Sequence, residues 1–350
     1  MRLCPRKPNS RSAPTALHPH PCRVAPARAR QKESCVNRHR TAVSVLLAAG
    51  ALLAGALTAA SPSAAAEPPS SFRPGQTPGF WTAERMRQAT PLDLEAAPGG
   101  ARTAPAKAAL PTRVPPTSPT SVMAFPQAGG AWTGGGTVVR TSGRVFFTFQ
   151  GRTASCSGDS VTSQNGSTVI TAGHCVKYQG AWHTNWIFVP AYDNGNAPYG
   201  QWSAVKTFAT DQWAASEDMN MDVGLAVVAP LNGQKLSQVV GAQGILFNGG
   251  YNKRMYSFGF PAAAPYDGTK LVYCSANTGK DFLLTKDHSM ACNMTGGSSG
   301  GPWFQDFNES TGLGTQVSVN SFGYNFLPNT MFGPYFGNEA KAAYDKAQTS

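Results

Sequence analysis

Three short segments combine reactive side chains with a backbone able to aim them. Val169-Ile170-Thr171-Ala172-Gly173-His174-Cys175 delivers a histidine at the end of an apolar run, beside a cysteine. An imidazole held that rigidly can serve as general base to a hydroxyl. Met219-Asn220-Met221-Asp222 precedes a second apolar run at residues 223–228. A carboxylate at the start of a buried strand can orient an imidazole and stabilise its cation. Asp218 is the nearest competitor but lies further from the strand, so Asp222 is the favoured acid. The third segment, Thr295-Gly296-Gly297-Ser298-Ser299-Gly300-Gly301-Pro302-Trp303, sets serines between glycines. Such a stretch turns tightly, points successive N–H groups to one side and projects a serine at the turn. His183 and His288 have no comparable setting and read as surface residues.

The elements that must carry these segments read as β. From about residue 122 the chain shows short apolar runs at 145–149, 169–172, 186–189, 223–228, 254–260 and 315–322, broken by Gly, Asn and Ser. That spacing fits an all-β barrel or sandwich better than alternating βα units. A helix is expected at 338–348, after Gly337, and a short one near 82–88. Trp182, Trp186, Trp202, Trp213 and Tyr251 could form a sugar-binding platform, but aromatic residues in strands usually belong to the core. Cys156, Cys175, Cys274 and Cys292 suit an oxidised, exported domain; pairing Cys156 with Cys175 and Cys274 with Cys292 closes two short loops, although four cysteines allow three connectivities. A zinc site is the rival use of these cysteines, but there is no CxxC pair.

The first third has a different character. The chain has 350 residues, a net charge of +11, 37 Gly and 27 Pro. Residues 1–120 hold 16 Lys/Arg and 5 Asp/Glu (net +11), whereas residues 121–350 hold 13 of each, so the basicity gives no sign of nucleic-acid binding by the folded part. The apolar run at 42–60, followed by Ala64-Ala65-Ala66, has the order of a secretory signal peptide cut after Ala66. Residues 1–66 are therefore expected to be a basic leader plus signal peptide, with translation starting near Val36. Residues 67–120, rich in Pro and Ala, are expected to be a disordered pro-segment or linker, cut somewhere between about Arg113 and Phe125. Residues 121–350 form the expected globular domain.

The Thr-Ala-Gly-His-Cys segment, the Asp before a strand and Gly-x-Ser-Gly-Gly-Pro, in that order, resemble the chymotrypsin-fold serine proteases over roughly residues 125–350. The leader and pro-segment narrow the resemblance to a bacterial, glutamyl-endopeptidase-like branch of exported proteases. The order His174, Asp222, Ser299 separates this fold from subtilisin-like and α/β-hydrolase enzymes. The resemblance implies two six-stranded antiparallel β-barrels with the active site between them, and a short C-terminal helix. It implies a secreted, monomeric endopeptidase acting on polypeptide substrates, with no cofactor or metal and no membrane attachment after signal cleavage. His174, Asp222 and Ser299 would be catalytic, Ser298 a decoy, and the N–H groups of Gly297 and Ser299 the oxyanion hole. Asn293, Met294, Asn320 and Ser321 would line the substrate pocket. Asn293 stands where trypsin-like enzymes carry an acid and no histidine occupies the later wall, so a small or apolar side chain is the default preference. Ser298 replaces the Asp that receives a new N-terminus in the pancreatic enzymes, so activation by that ion pair is not expected. A catalytically inactive, protease-like binding domain is the alternative.

Overall fold

The computed structural model describes residues 69–96, 111–114 and 125–350, all within one compact unit spanning Ala64 to Ser350. The expected leader and signal peptide lie outside the described residues, as does most of the stretch between 97 and 124. Among the described residues no helix is long and apolar enough to cross a membrane.

Five short strands come first: β1 (Ser71–Phe72), β2 (Thr90–Pro91), β3 (Leu94–Glu95), β4 (Thr112–Val114) and β5 (Gln127–Ala131), with helix α1 (Ala83–Gln88) between β1 and β2. Next come β6 (Ser142–Phe149), β7 (Arg152–Val161), β8 (Thr168–Thr171), the hairpin β9 (Lys177–Tyr178) and β10 (Ala181–Trp182), β11 (Thr184–Pro190), β12 (Trp202–Ala209) and β13 (Gly224–Val228). Antiparallel pairing in the order β6, β7, β8, β13, β12, β11 and back to β6 closes a six-stranded barrel. Closure pairs the strands around the body of the barrel while the start of β7 and the end of β12 keep an edge open, and the inward side chains Val145, Phe147, Val169, Trp186, Phe188 and Ala226 fill the interior.

The second lobe holds β14 (Gly244–Phe247), β15 (Arg254–Gly259), β16 (Val272–Asn277), β17 (Gly279–Lys280), β18 (His288–Ala291), β19 (Pro302–Asn308), β20 (Leu313–Val319), β21 (Phe322–Tyr324) and β22 (Leu327–Gly333). Its strands hydrogen-bond as two sheets, β4-β14-β20-β19-β15-β16-β5 and β17-β18-β22-β21-β3, rather than as one closed ring. The final helix runs Asn338–Gln348, as its Ala, Glu and Lys content predicts; it buries Ala340, Ala343, Tyr344 and Ala347 on one face. Trp186, Trp202 and Trp213 are core residues, not a surface platform.

Two expectations are corrected. Residues 69–96 are not disordered. β1 pairs with β12, β2 with β7 and β3 with β21, and Thr82 caps α1 by accepting the Arg85 N–H. Trp81, Met86, Ala89 and Leu94 are buried, Trp81 and Met86 in a cluster with Phe146, Tyr192, Phe258 and Phe260. Composition measures what a segment can bury by itself; here the two lobes supply the strand edges and the apolar surface, worth roughly 2 kcal/mol for each large side chain covered. Further along, β4 pairs with β14, and Arg113, at the start of the expected cut region, forms an ion pair with Asp306.

Nor are His183 and His288 surface residues. His183 stacks on Phe147 with ring centroids 4.3 Å apart, and His288 lies among Tyr251, Trp303 and Tyr335. Burial pushes the His183 imidazole down to about 3 and that of His288 down to about 4. Both bind a proton less readily folded than unfolded, so each adds stability above the ordinary histidine range and loses it as pH falls toward these values. Replacing His288 with Phe keeps an aromatic ring in the cluster and removes the titrating group. The His288→Phe chain should therefore lose about 3 kcal/mol less unfolding free energy than the parent between pH 7 and pH 4. Urea melts at the two pH values measure the difference.

Candidate active site

β8 ends at Thr171 and the chain tightens into a 3₁₀ turn, Gly173–Cys175, that holds His174. A disulfide from Cys175 to Cys156 on β7 fixes the turn from one side. The ring of Trp213 closes it from another, so near that a Cβ on Gly173 would lie 2.7 Å from Trp213 Cγ. From beneath, His183 Nε2–H donates to the His174 carbonyl at 2.8 Å, and in the neutral ring that burial favours this bond keeps the single proton on Nε2. The second disulfide joins Cys274 to Cys292, so both short-loop pairings are present.

Asp222 follows a 3₁₀ turn, Met219–Met221, immediately before β13. Its carboxylate is fully buried and accepts three hydrogen bonds. They come from the His174 backbone N–H (2.7 Å), His174 Nδ1 (2.8 Å) and Ser321 Oγ (2.6 Å). Asp218 is used locally, capping the 3₁₀ turn by accepting the Asn220 N–H. The aspartate bonds fix the imidazole with Nδ1–H toward the acid and Nε2 left as the basic nitrogen. That Nε2 is buried and has no hydrogen-bond partner among the described residues.

Ser299 sits at the apex of the glycine-rich turn. Gly301 N–H donates to Ser298 O (2.9 Å), Gly300 N–H to Asn320 O (2.7 Å) and Ser298 N–H to Thr295 O (3.2 Å). None of the described backbone bonds in this turn uses the N–H of Gly297 or Ser299. Gly300 has φ +80°, and a Cβ there would lie 2.1 Å from Thr171 Oγ1; only glycine lets the turn approach the strand that delivers His174. Ser157 on β7 staples the turn to the first barrel: its N–H donates to Ser299 O (2.7 Å) and its Oγ to Gly297 O (2.8 Å). The Ser298 hydroxyl points inward and bonds Thr295 O at 2.8 Å.

A cavity of about 390 Å³ opens beside Ser299, lined by Asn293, Met294, Thr295, Ser321, Asn325 and Thr330 among others. Asn293 Oδ1 accepts the Tyr266 hydroxyl at 2.6 Å. Of the expected pocket residues, Asn293, Met294 and Ser321 border this cavity, whereas Asn320 does not. Asn320 is buried beneath the turn, where Oδ1 accepts from Ser257 Oγ and Trp303 Nε1 and Nδ2 donates to Phe258 O and Ser298 O. An amide with every group satisfied inside the lobe is a brace under the serine turn. The bond from Ser321 to Asp222, the Ser157 staple and the His183 prop have no sequence-local pattern that could have revealed them.

No protein-family profile matches the chain. Among solved structures it is similar to the protease Anisep from Arthrobacter nicotinovorans, with 47% identity over 60% of this chain and 96% of that one, TM-score 0.57. It is also similar to the thermostable serine protease AL20 from an extremophilic microorganism, with 40% identity over 61% of this chain and 99% of that one, TM-score 0.58. A Glu endopeptidase shares the fold at 14% identity and TM-score 0.51. A curated extracellular metalloprotease of Bacillus subtilis (strain 168) is 36% identical over 61 residues, 17% of this chain, and the match spans 20% of that relative's length. The name of that relative raises a metal, but the donor set here does not fit one. Among the described residues a single group, Cys156, His174 and Cys175, has its ligand atoms within 4.8 Å of one another. The two sulfurs are joined to each other and Nδ1 is bonded to Asp222. By fold and by its identity over nearly the whole length of the first two structures, the chain belongs to the bacterial serine proteases of the chymotrypsin fold.

Proposed function

We propose that the protein is a secreted serine endopeptidase in which Ser299, His174 and Asp222 form the catalytic triad. The observation that carries this reading is the buried Asp222 carboxylate, held by His174 twice and by Ser321 once, with the Ser299 turn stapled to β7 of the same barrel. Ser299 Oγ adds to the scissile carbonyl carbon while its proton passes to His174 Nε2, and the carbonyl π pair moves to oxygen. The N–H groups of Gly297 and Ser299 hold that oxyanion, a contribution of about 10²- to 10³-fold in rate per donor. Collapse breaks the C–N bond, and the departing amine takes the proton from Nε2. Water then repeats the sequence on the acyl-enzyme, with His174 as base and then acid. Asp222 steadies the imidazolium in both halves.

The two disulfides and the signal-like segment support export, and the Bacillus subtilis relative is named extracellular. The substrate is polypeptide, cleaved by a monomer. The side chains that the protease lobe itself contributes to the cavity are uncharged, so a neutral residue is preferred at the cleavage point.

Ser299→Ala should lower kcat by about 10⁴-fold or more with the fold intact, whereas Ser298→Ala, which removes only the bond to Thr295 O, should cost less than tenfold. A fluorophosphonate should add one adduct, located on Ser299 by peptide mass. A reversed pair of effects would move the nucleophile to Ser298 and overturn the assignment.

Asn293→Asp keeps an acceptor for the Tyr266 hydroxyl and places a charge in the pocket. It should raise kcat/KM for substrates with Lys or Arg at the cleavage point by about tenfold or more, the scale of one hydrogen bond to a charged group. A substrate library read before and after the change tests the pocket assignment.

A further inference from the structure

We infer that residues 69–96 are a tethered blocker that lies across the cleft in the direction opposite to a substrate, and that the protease face binds this segment without cutting it. The inference rests on the reading of Ser299 and His174 as nucleophile and base.

The path of the segment is set by three contacts. Thr90 and Pro91 pair in parallel with Ala154 and Ser155 of β7, and Leu92 N–H donates to Ser155 O at 3.0 Å. The next residue of β7, Cys156, is bonded to Cys175 beside His174, so this end lies on the base's side of the cleft. Asp93 then borders the same cavity as Asn293, Ser298 and Ser299. Its carboxylate rests on Gly296, where a Cβ would meet Oδ2 at 2.2 Å and Oδ1 at 2.4 Å. Leu94 and Glu95 finally pair in parallel with Phe322 and Gly323 of β21, and Leu94 joins the apolar cluster that holds Phe322, Tyr324 and Phe332. Beneath this cover His174 has no exposed surface and Ser299 is 5% exposed.

Substrate direction follows from the proton path. The departing amine takes its proton from His174, so the C-terminal half of a substrate lies toward His174 and β7. The acyl half stays on Ser299 with its side chain in the cavity beside β21. A cleavable chain therefore runs from β21 to β7 and pairs antiparallel to β21. Residues 90–95 run from β7 to β21. Any carbonyl they present to Ser299 carries its amine on the cavity side, away from His174, so expulsion lacks its acid and the bond survives. The pairing edges are those a peptide substrate needs, which makes the block competitive. Trp81, Met86 and Ala89, buried against Phe146, Tyr192, Phe258 and Phe260, and β1 on β12 hold the segment from a distance. A single cut after residue 96 would leave it seated.

The test uses the full chain, the Trp81→Ala chain and the Leu92→Pro chain, the last removing the N–H that bonds Ser155 O. Neither residue belongs to the proposed triad, and either variant suffices if the other fails to fold. Fluorophosphonate labelling of Ser299 and hydrogen exchange over residues 320–326 are read in each, with intact mass confirming an uncut chain. Labelling at least about tenfold faster in the variants, with faster exchange at 322–324, supports the inference. A synthetic peptide of residues 69–96 added to the Trp81→Ala chain should restore slow labelling and be recovered intact. Equal labelling of parent and variants, or recovery of the peptide cut between Thr90 and Glu95, overturns the block alone. Faster exchange with no adduct on any chain overturns the Ser299 assignment and the inference together.

Discussion

The site is organised around one buried carboxylate. Asp222 is removed from water, and such a group is tolerated only where hydrogen bonds replace its hydration. Its three donors come from two sources: the backbone and ring of His174 in the first barrel, and the hydroxyl of Ser321 between β20 and β21 of the second lobe. The second lobe therefore completes the polar accounting of an acid that belongs to the first. Displacing the second lobe removes one of the three donors from a buried carboxylate, which couples the relative position of the lobes to the setting of His174.

The same logic supports the turn that carries Ser299. A turn rich in glycine is intrinsically loose, yet this one is fixed by partners outside itself. Ser157 holds it from the first barrel, Asn320 from below, and Ala262 N–H takes the Gly296 carbonyl at 2.6 Å. The disulfides add covalent limits on the two flanks, Cys175 next to His174 and Cys292 seven residues before Ser299. Precision here belongs to the surrounding shell, and the glycines contribute only the space for the chain to come this close.

Much of this was legible in the sequence because it is local. A strand that ends in Ala-Gly-His-Cys, an acid just before an apolar run and a serine between glycines each announce a backbone shape, and the helix at Asn338–Gln348 announces itself by composition and stripe. What was not legible depends on contacts distant in sequence. His183 looks exposed until Phe147 is placed over it, and Asn320 looks like a pocket wall until Trp303 and Ser257 are found to occupy its oxygen. The two-sheet form of the second lobe likewise depends on which strands meet, which short apolar runs do not encode.

Residues 69–96 are the sharpest case. The Pro and Ala content of residues 67–120 describes a segment unable to make a core of its own, and it masks the apolar side chains Phe80, Trp81, Met86 and Leu94. Order comes from surfaces already built: unpaired strand edges at β7, β12 and β21, and an apolar face around Phe146 and Tyr192. Strand edges accept a partner running either way, because parallel and antiparallel ladders satisfy the same backbone groups. With Ser299 and His174 in the roles proposed for them, the chemistry has no such symmetry, since the proton donor stands on one side only. A segment that binds through the edges while running the wrong way can therefore gain most of a substrate's pairing energy and still present no bond that the site can break.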